Sequence, residues 1–192
     1  MAYAAERSNS VAVEVLLDAG TAVNSVGPEG TALQLAALYG RKENFDLLLK
    51  RGADPNIGAG RWENPLIAAI HMAGRDPKLA VYMVQQLLER GADRNTPGIL
   101  HYAVSQCLES HPKRNQAVDV LRCLLAAGVN VNALNANNET ALYTAAFHGA
   151  EEAAAVLFSH KADSTVGKSP LVAASSRDHT KIAKLLMSAR TR

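Results

Sequence analysis

Five leucine-rich stretches that end in nearly the same word constrain this chain more than any other feature. They are LLDAGTAVN (16–24), LLKRGADPN (48–56), LLERGADRN (87–95), LLAAGVNVN (124–132) and LFSHKADST (157–165), the last with Lys161 in the place of the glycine. A second set of words alternates with them: GTALQLAALYG (30–40), ENPLIAAIHMAG (63–74), GILHYAVS (98–105), ETALYTAAFHG (139–149) and KSPLVAASS (168–176). From Thr31 to Asn64 is 33 residues and from Asn64 to Gly98 is 34. A period of that size describes one supersecondary unit that buries its apolar face only by stacking on copies of itself.

Each word has a mechanical reading. Thr31, Asn64, Thr140 and Ser169 are N-cap residues, and Pro65 and Pro170 stand at the first helical position, where a missing N–H costs nothing. The pairs Ala36–Ala37, Ala68–Ala69, Ala145–Ala146 and Ala173–Ala174 are small enough for neighbouring helices to approach closely. The Leu-Leu pairs belong to a second helix and supply the core between two layers. Gly20, Gly52, Gly91 and Gly128 stand where a helix ends in a left-handed residue. Asp54 with Asn56 and Asp93 with Asn95 are turn formers whose side chains bond nearby backbone amides.

The pattern T-A/P-L-x-x-A-A followed by L-L-x-x-G-A-D-x-N resembles the ankyrin repeat, and the resemblance runs over essentially the whole chain. The wording GTALQ is similar to ankyrin arrays common in fungal proteins. The resemblance implies an all-α solenoid of helix-turn-helix pairs with short β-hairpin fingers. It would form a single domain over 1–192, with a partial repeat at 1–30 and repeats starting near 31, 64, 98, 140 and 169. Counting back from Gly20 puts Ala4–Ala5 on the alanine pair, so the chain opens inside a repeat, as a fragment or as a reduced cap.

Two copies depart from the spacing. Thr31 to Gly52 and Thr140 to Lys161 are each 21 residues, but Asn64 to Gly91 is 27 and Gly98 to Gly128 is 30. The surplus falls around GRDPK (74–78) and ESHPKRNQ (109–116), each with a proline expected to stop a helix. Both read as loop growth between the helices of a repeat, or as a second contact patch presenting Arg75, Lys78, Lys113 and Arg114. Fingers after Gly20, Gly52 and Gly128 have room for a hairpin. Those after Gly91 and Lys161 should be tight turns. Gly98 in the cap position makes the start of that helix the least defined.

Composition narrows the function. The chain is 48% hydrophobic with no apolar run near the ~18 residues of a membrane span, and no secretory leader is visible. Cys107 and Cys123 read as buried reduced thiols. Together these predict a soluble, intracellular chain, cytoplasmic or nuclear. The net charge of +2 does not imply nucleic acid; residues 161–192, with seven basic and two acidic residues, read as the solvated face of a terminal element. None of the six histidines has a metal-ligand spacing, no phosphate-binding glycine loop occurs, and no nucleophile motif is present. No cofactor, metal or catalytic residue is therefore expected, and the chain is read as not an enzyme. His101 occupies the slot of the family's TPLH histidine, which implies a hydrogen bond within the turn.

By the resemblance, finger tips and the exposed side of the first helices form a concave binding surface. That surface maps to Leu38, Tyr39, His71, Met72, Ser105, Gln106, Phe147, His148, Ser176 and Arg177. Trp62, the sole tryptophan, and Arg61 stand in the finger IGAGRWEN, and both types are enriched at interface hot spots. The function expected is recognition of a protein partner by a monomer through Leu38, Tyr39, Arg61, Trp62, His71, Met72, Phe147 and His148. The alternative is an enzyme or small-ligand site in the groove using Tyr39, Glu63, His71 and His148. A third reading makes the chain a modification substrate. Asn56, Asn95 and Asn132 match the turn position that asparaginyl hydroxylases modify in animal ankyrin arrays.

Overall fold

The computed structural model describes residues 1–7, 9–60, 63–108 and 114–189. They gather into two compact units, 1–93 and 94–192. The first holds three helix pairs: α1 (Ala2–Glu6) with α2 (Ser10–Asp18), α3 (Ala32–Leu38) with α4 (Lys42–Lys50), and α5 (Pro65–His71) with α6 (Pro77–Glu89). The second holds α7 (Ile99–Gln106) with α8 (Arg114–Ala126), α9 (Ala141–His148) with α10 (Glu151–Ser159), and α11 (Pro170–Ser176) with α12 (Thr180–Ala189). Within each unit the first helices form an inner row, α1–α3–α5 and α7–α9–α11, and each second helix packs behind its own partner.

The caps behave as their residue types require. The Gln34 N–H donates to Thr31 Oγ1 at 3.2 Å, and Gln34 Oε1 accepts the Thr31 N–H at 3.3 Å, a complete capping box. Asn64, Thr140 and Ser169 accept from Ile67, Tyr143 and Val172 in the same way. Two caps escaped the repeat pattern, Asn9 on α2 and Asp76 on α6. Ala36, Ala37, Ala68, Ala69, Ala145 and Ala146 have no exposed surface. Phe45, Leu48, Met83 and Leu87 fill the first core, and Leu121, Leu124, Leu142 and Leu157 the second.

Gly20, Gly52, Gly91 and Gly128 all take the left-handed conformation, φ 82° to 86°, and Lys161 follows at 65°. The turn that comes next is closed by a side chain, with Asp54 Oδ1 accepting the Asn56 N–H at 2.8 Å. The asparagine then reaches onward. Asn24, Asn56 and Asn132 each accept, at 2.8 Å, the backbone N–H of the residue that opens the following finger: Asp54, Asp93 and Asp163. Successive fingers are thus linked by side chain to backbone, and no ladder between them is needed.

Two expectations need correction. Of the three fingers with room for a hairpin, only the first forms one among the described residues, β1 (Val26–Gly27) against β2 (Gly30–Thr31). The second is instead held by Gln34, whose amide bonds both the N–H and C=O of Ala59. The third closes on Asn135, whose Oδ1 accepts from Asn137 and Glu139. Pro77 does not stop a helix: it begins α6, behind the Asp76 cap. Much of the surplus in that copy is helix, for α6 and α8 have 13 residues where α4 and α10 have 9. A single 3-10 turn, Met72–Gly74, takes up more of it.

Candidate functional site

The mapped surface divides by burial. In the first unit Tyr39 is 37% exposed and His71 is partly exposed, both at the end of an inner helix. Leu38 and Met72 do not form an exposed apolar floor. They are 7% and 4% exposed, so both belong to the core. Every residue of α3 is buried because α1 flanks it on one side and α5 on the other. Met72 stands eight residues after the Asn64 cap, as Tyr39 does after Thr31, yet it turns into the core. A Cβ built on Gly40 would lie 2.9 Å from Met72 Cε. The methionine fills the space that the glycine of the preceding copy leaves open. Arg61 and Trp62 lie outside the described residues, as does Lys113. Arg75 and Lys78 are exposed beside the start of α6.

The second unit brings its residues together. Tyr143 and Phe147, one helical turn apart on α9, stack with ring centroids 5.9 Å apart. His148 meets the edge of Phe147 at 5.0 Å. Arg177, just past α11, places its guanidinium carbon 3.6 Å from the Phe147 ring centre. Lys168 lies 5.7 Å from the Tyr143 ring and pairs with Glu139 at 2.8 Å. That lysine, with Asn135, holds the Glu139 carboxyl below its usual range, and Glu139 raises Lys168 in return. Val172, at the helix position equivalent to Tyr143, is 66% exposed. Tyr143, Lys168 and Val172 were missed by the sequence mapping, which took only the positions seven and eight residues past each cap. In α9 and α11 the third residue also faces outward, whereas Gln34 and Ile67 at that position of α3 and α5 are buried, and the aromatic Tyr143 was the available signal.

Other polar groups stand apart from this cluster. His101 Nε2 lies 2.9 Å from the carbonyl of Glu139, so its bond runs to the next finger and not within its own turn. Tyr39, Glu63 and His71 belong to the first unit and His148 to the second. Among the described residues no group of three His, Cys, Asp or Glu could hold a metal, and no helix is long and apolar enough to cross a membrane. Burial pushes the Cys107 thiol up to about 12 and raises that of the half-buried Cys123, so both stay protonated at neutral pH. Asn56 and Asn132 carry the links between fingers.

Known proteins share this arrangement. A family model described as ankyrin repeats (3 copies) matches residues 1–59 and 110–191, leaving out the stretch that carries α5, α6 and α7. The human ASB11 ankyrin repeat domain is 25% identical, with a TM-score of 0.75, over 97% of this chain and 81% of that one. An ankyrin repeat domain from Acinetobacter baumannii AYE is also 25% identical, with a TM-score of 0.78, over 98% of this chain and 96% of that one. The ankyrin repeat protein EF0377, at 22% identity and a TM-score of 0.76 over 96% and 94%, shares the fold. With the family model covering more than half of its length, this chain belongs to the ankyrin-repeat family.

Proposed function

We propose that the chain holds a partner polypeptide against the exposed positions of its inner helices, without chemistry of its own. Ankyrin repeats are in general protein–protein interaction modules, and the stacked core leaves these positions free to vary. The observation that carries the reading is the cluster of Tyr143, Phe147, His148 and Arg177. Those aromatic and cationic side chains meet one another on the surface, where the array core has no use for them. Tyr39 and His71 offer the equivalent positions of the first unit. A photo-reactive phenylalanine analogue at position 147, compared with one at the exposed Ala155 on α10, tests the reading. Position 147 should cross-link a discrete polypeptide from cell extract. Capture by 155 alone would place the partner on the outer helices instead.

A further inference from the structure

We propose that the Tyr143–Phe147–Arg177 face receives a peptide segment with an acidic side chain next to an apolar one. This inference rests on the protein-binding reading above and names the chemistry of its partner. Arg177 sits over the Phe147 ring with its guanidinium carbon 3.6 Å from the ring centre, and the N–H donors of a guanidinium group suit a planar, bidentate acceptor. Its neighbours are already neutralised: Lys168 pairs with Glu139, and Lys181 with Glu151 at 3.0 Å. Among the described residues no carboxylate stands within ion-pair distance of Arg177. The inner helices α7, α9 and α11 contain no Asp or Glu at all, and residues 94–192 hold eleven basic against seven acidic side chains. The inner helices of this unit thus bring no carboxylate of their own, and Glu139 beside the patch is already engaged by Lys168, which leaves Arg177 without an ion pair among the described residues. Beside it Tyr143 and the 66% exposed Val172 offer an apolar seat at equivalent positions of adjacent helices. A carboxylate on the edge of Arg177 and an apolar side chain on Tyr143 and Val172 would use both halves of the patch at once.

The probe is a phage-displayed library of random 12-residue peptides, selected on the intact chain. Recovered peptides should be enriched in Asp or Glu beside Leu, Phe or Trp. Synthesised and measured by fluorescence anisotropy, they should lose affinity at least tenfold with Arg177→Gln or Phe147→Ala. They should lose less than twofold with Lys184→Gln, which removes the same charge from the exposed face of α12. Binding should weaken as salt rises. Circular dichroism confirms that each variant is folded, and Arg177→Gln, at an exposed position, provides the test even if Phe147→Ala does not fold. Acid-free peptides that still depend on Phe147 would overturn the acidic preference and leave the inner-face reading standing. Peptides indifferent to both substitutions, or a selection that recovers none, would overturn both. Tight binding of a 20-nucleotide single strand, lost with Arg177→Gln, would give this face to nucleic acid and refute the proposal.

Discussion

Substituting Gly40 with alanine tests whether Met72 is a core residue or a surface one. The added methyl group meets two separate costs. Gly40 has φ +64°, and an L-residue in that conformation is strained by about 1 kcal/mol. Its Cβ would stand 2.9 Å from Met72 Cε and 3.2 Å from Leu79 Cδ2. Crowding of a packed site costs about 1–3 kcal/mol, and the lower half of that range applies because a methionine tip is flexible. Against these, alanine restricts the unfolded chain and returns about 0.4–1 kcal/mol. The net expectation is a loss of roughly 1.5 kcal/mol. Met72→Ala alone should cost about 2–5 kcal/mol, as for any large buried side chain. In the double variant the closest contact is gone and only the one with Leu79 remains, so Gly40→Ala should cost only about 0.5 kcal/mol. Urea unfolding of the four proteins, followed by circular dichroism and by amide exchange in α3 and α5, measures the coupling of about 1 kcal/mol. Equal costs of Gly40→Ala in both backgrounds would refute the contact. A Met72→Ala variant as stable as the parent would return the methionine to the surface.

Three further outcomes follow from the geometry. Lys161→Gly should stabilise the chain by about 0.5–1 kcal/mol, raising the melting temperature by a few degrees, because Lys161 alone holds the left-handed slot without being glycine. An unchanged or lower melting temperature would show that the lysine is not strained there. Cys107 should resist iodoacetamide at pH 8 until the protein is unfolded, since its thiol is pushed up to about 12; mass spectrometry of native and urea-treated samples reads this directly. Glu139 has its folded pKa lowered by Lys168 and Asn135, so the stability it contributes is present above its unfolded value, about 4.3, and is lost as pH falls through the folded one. Lys168→Met should therefore lower the urea midpoint at pH 7 and leave it nearly unchanged at pH 2.5. An equal loss at both values would mean the lysine acts through packing.

What could be read from the residues alone divides along a physical line. Caps, left-handed helix ends and alanine pairs are local: Thr140 needs only the N–H three residues on, and Gly128 only its own φ, so spacing sufficed to place them. Fingers are not local. In the second finger Gln34, a side chain of the preceding copy, takes both backbone bonds of Ala59 that a strand would have used. The asparagine links were half legible for the same reason, since their acceptors are within reach of the eye but their donors belong to the next repeat. For the binding face, equal phase did not mean equal exposure. Seven and eight residues past their caps stand Leu38 and Tyr39, His71 and Met72, Phe147 and His148, and of these Leu38 and Met72 are buried. Met72 turns into the space that Gly40 of the neighbouring copy leaves open. Leu38 and Phe147 share the first position after the pair, yet only Leu38 is buried, although each helix lies between two neighbours of its row. Exposure in a stacked array is thus set by the side chains of the neighbouring copies as much as by a residue's own phase. A surface reading of such a chain has to be made across repeats, column by column, before any one helix is read along its length.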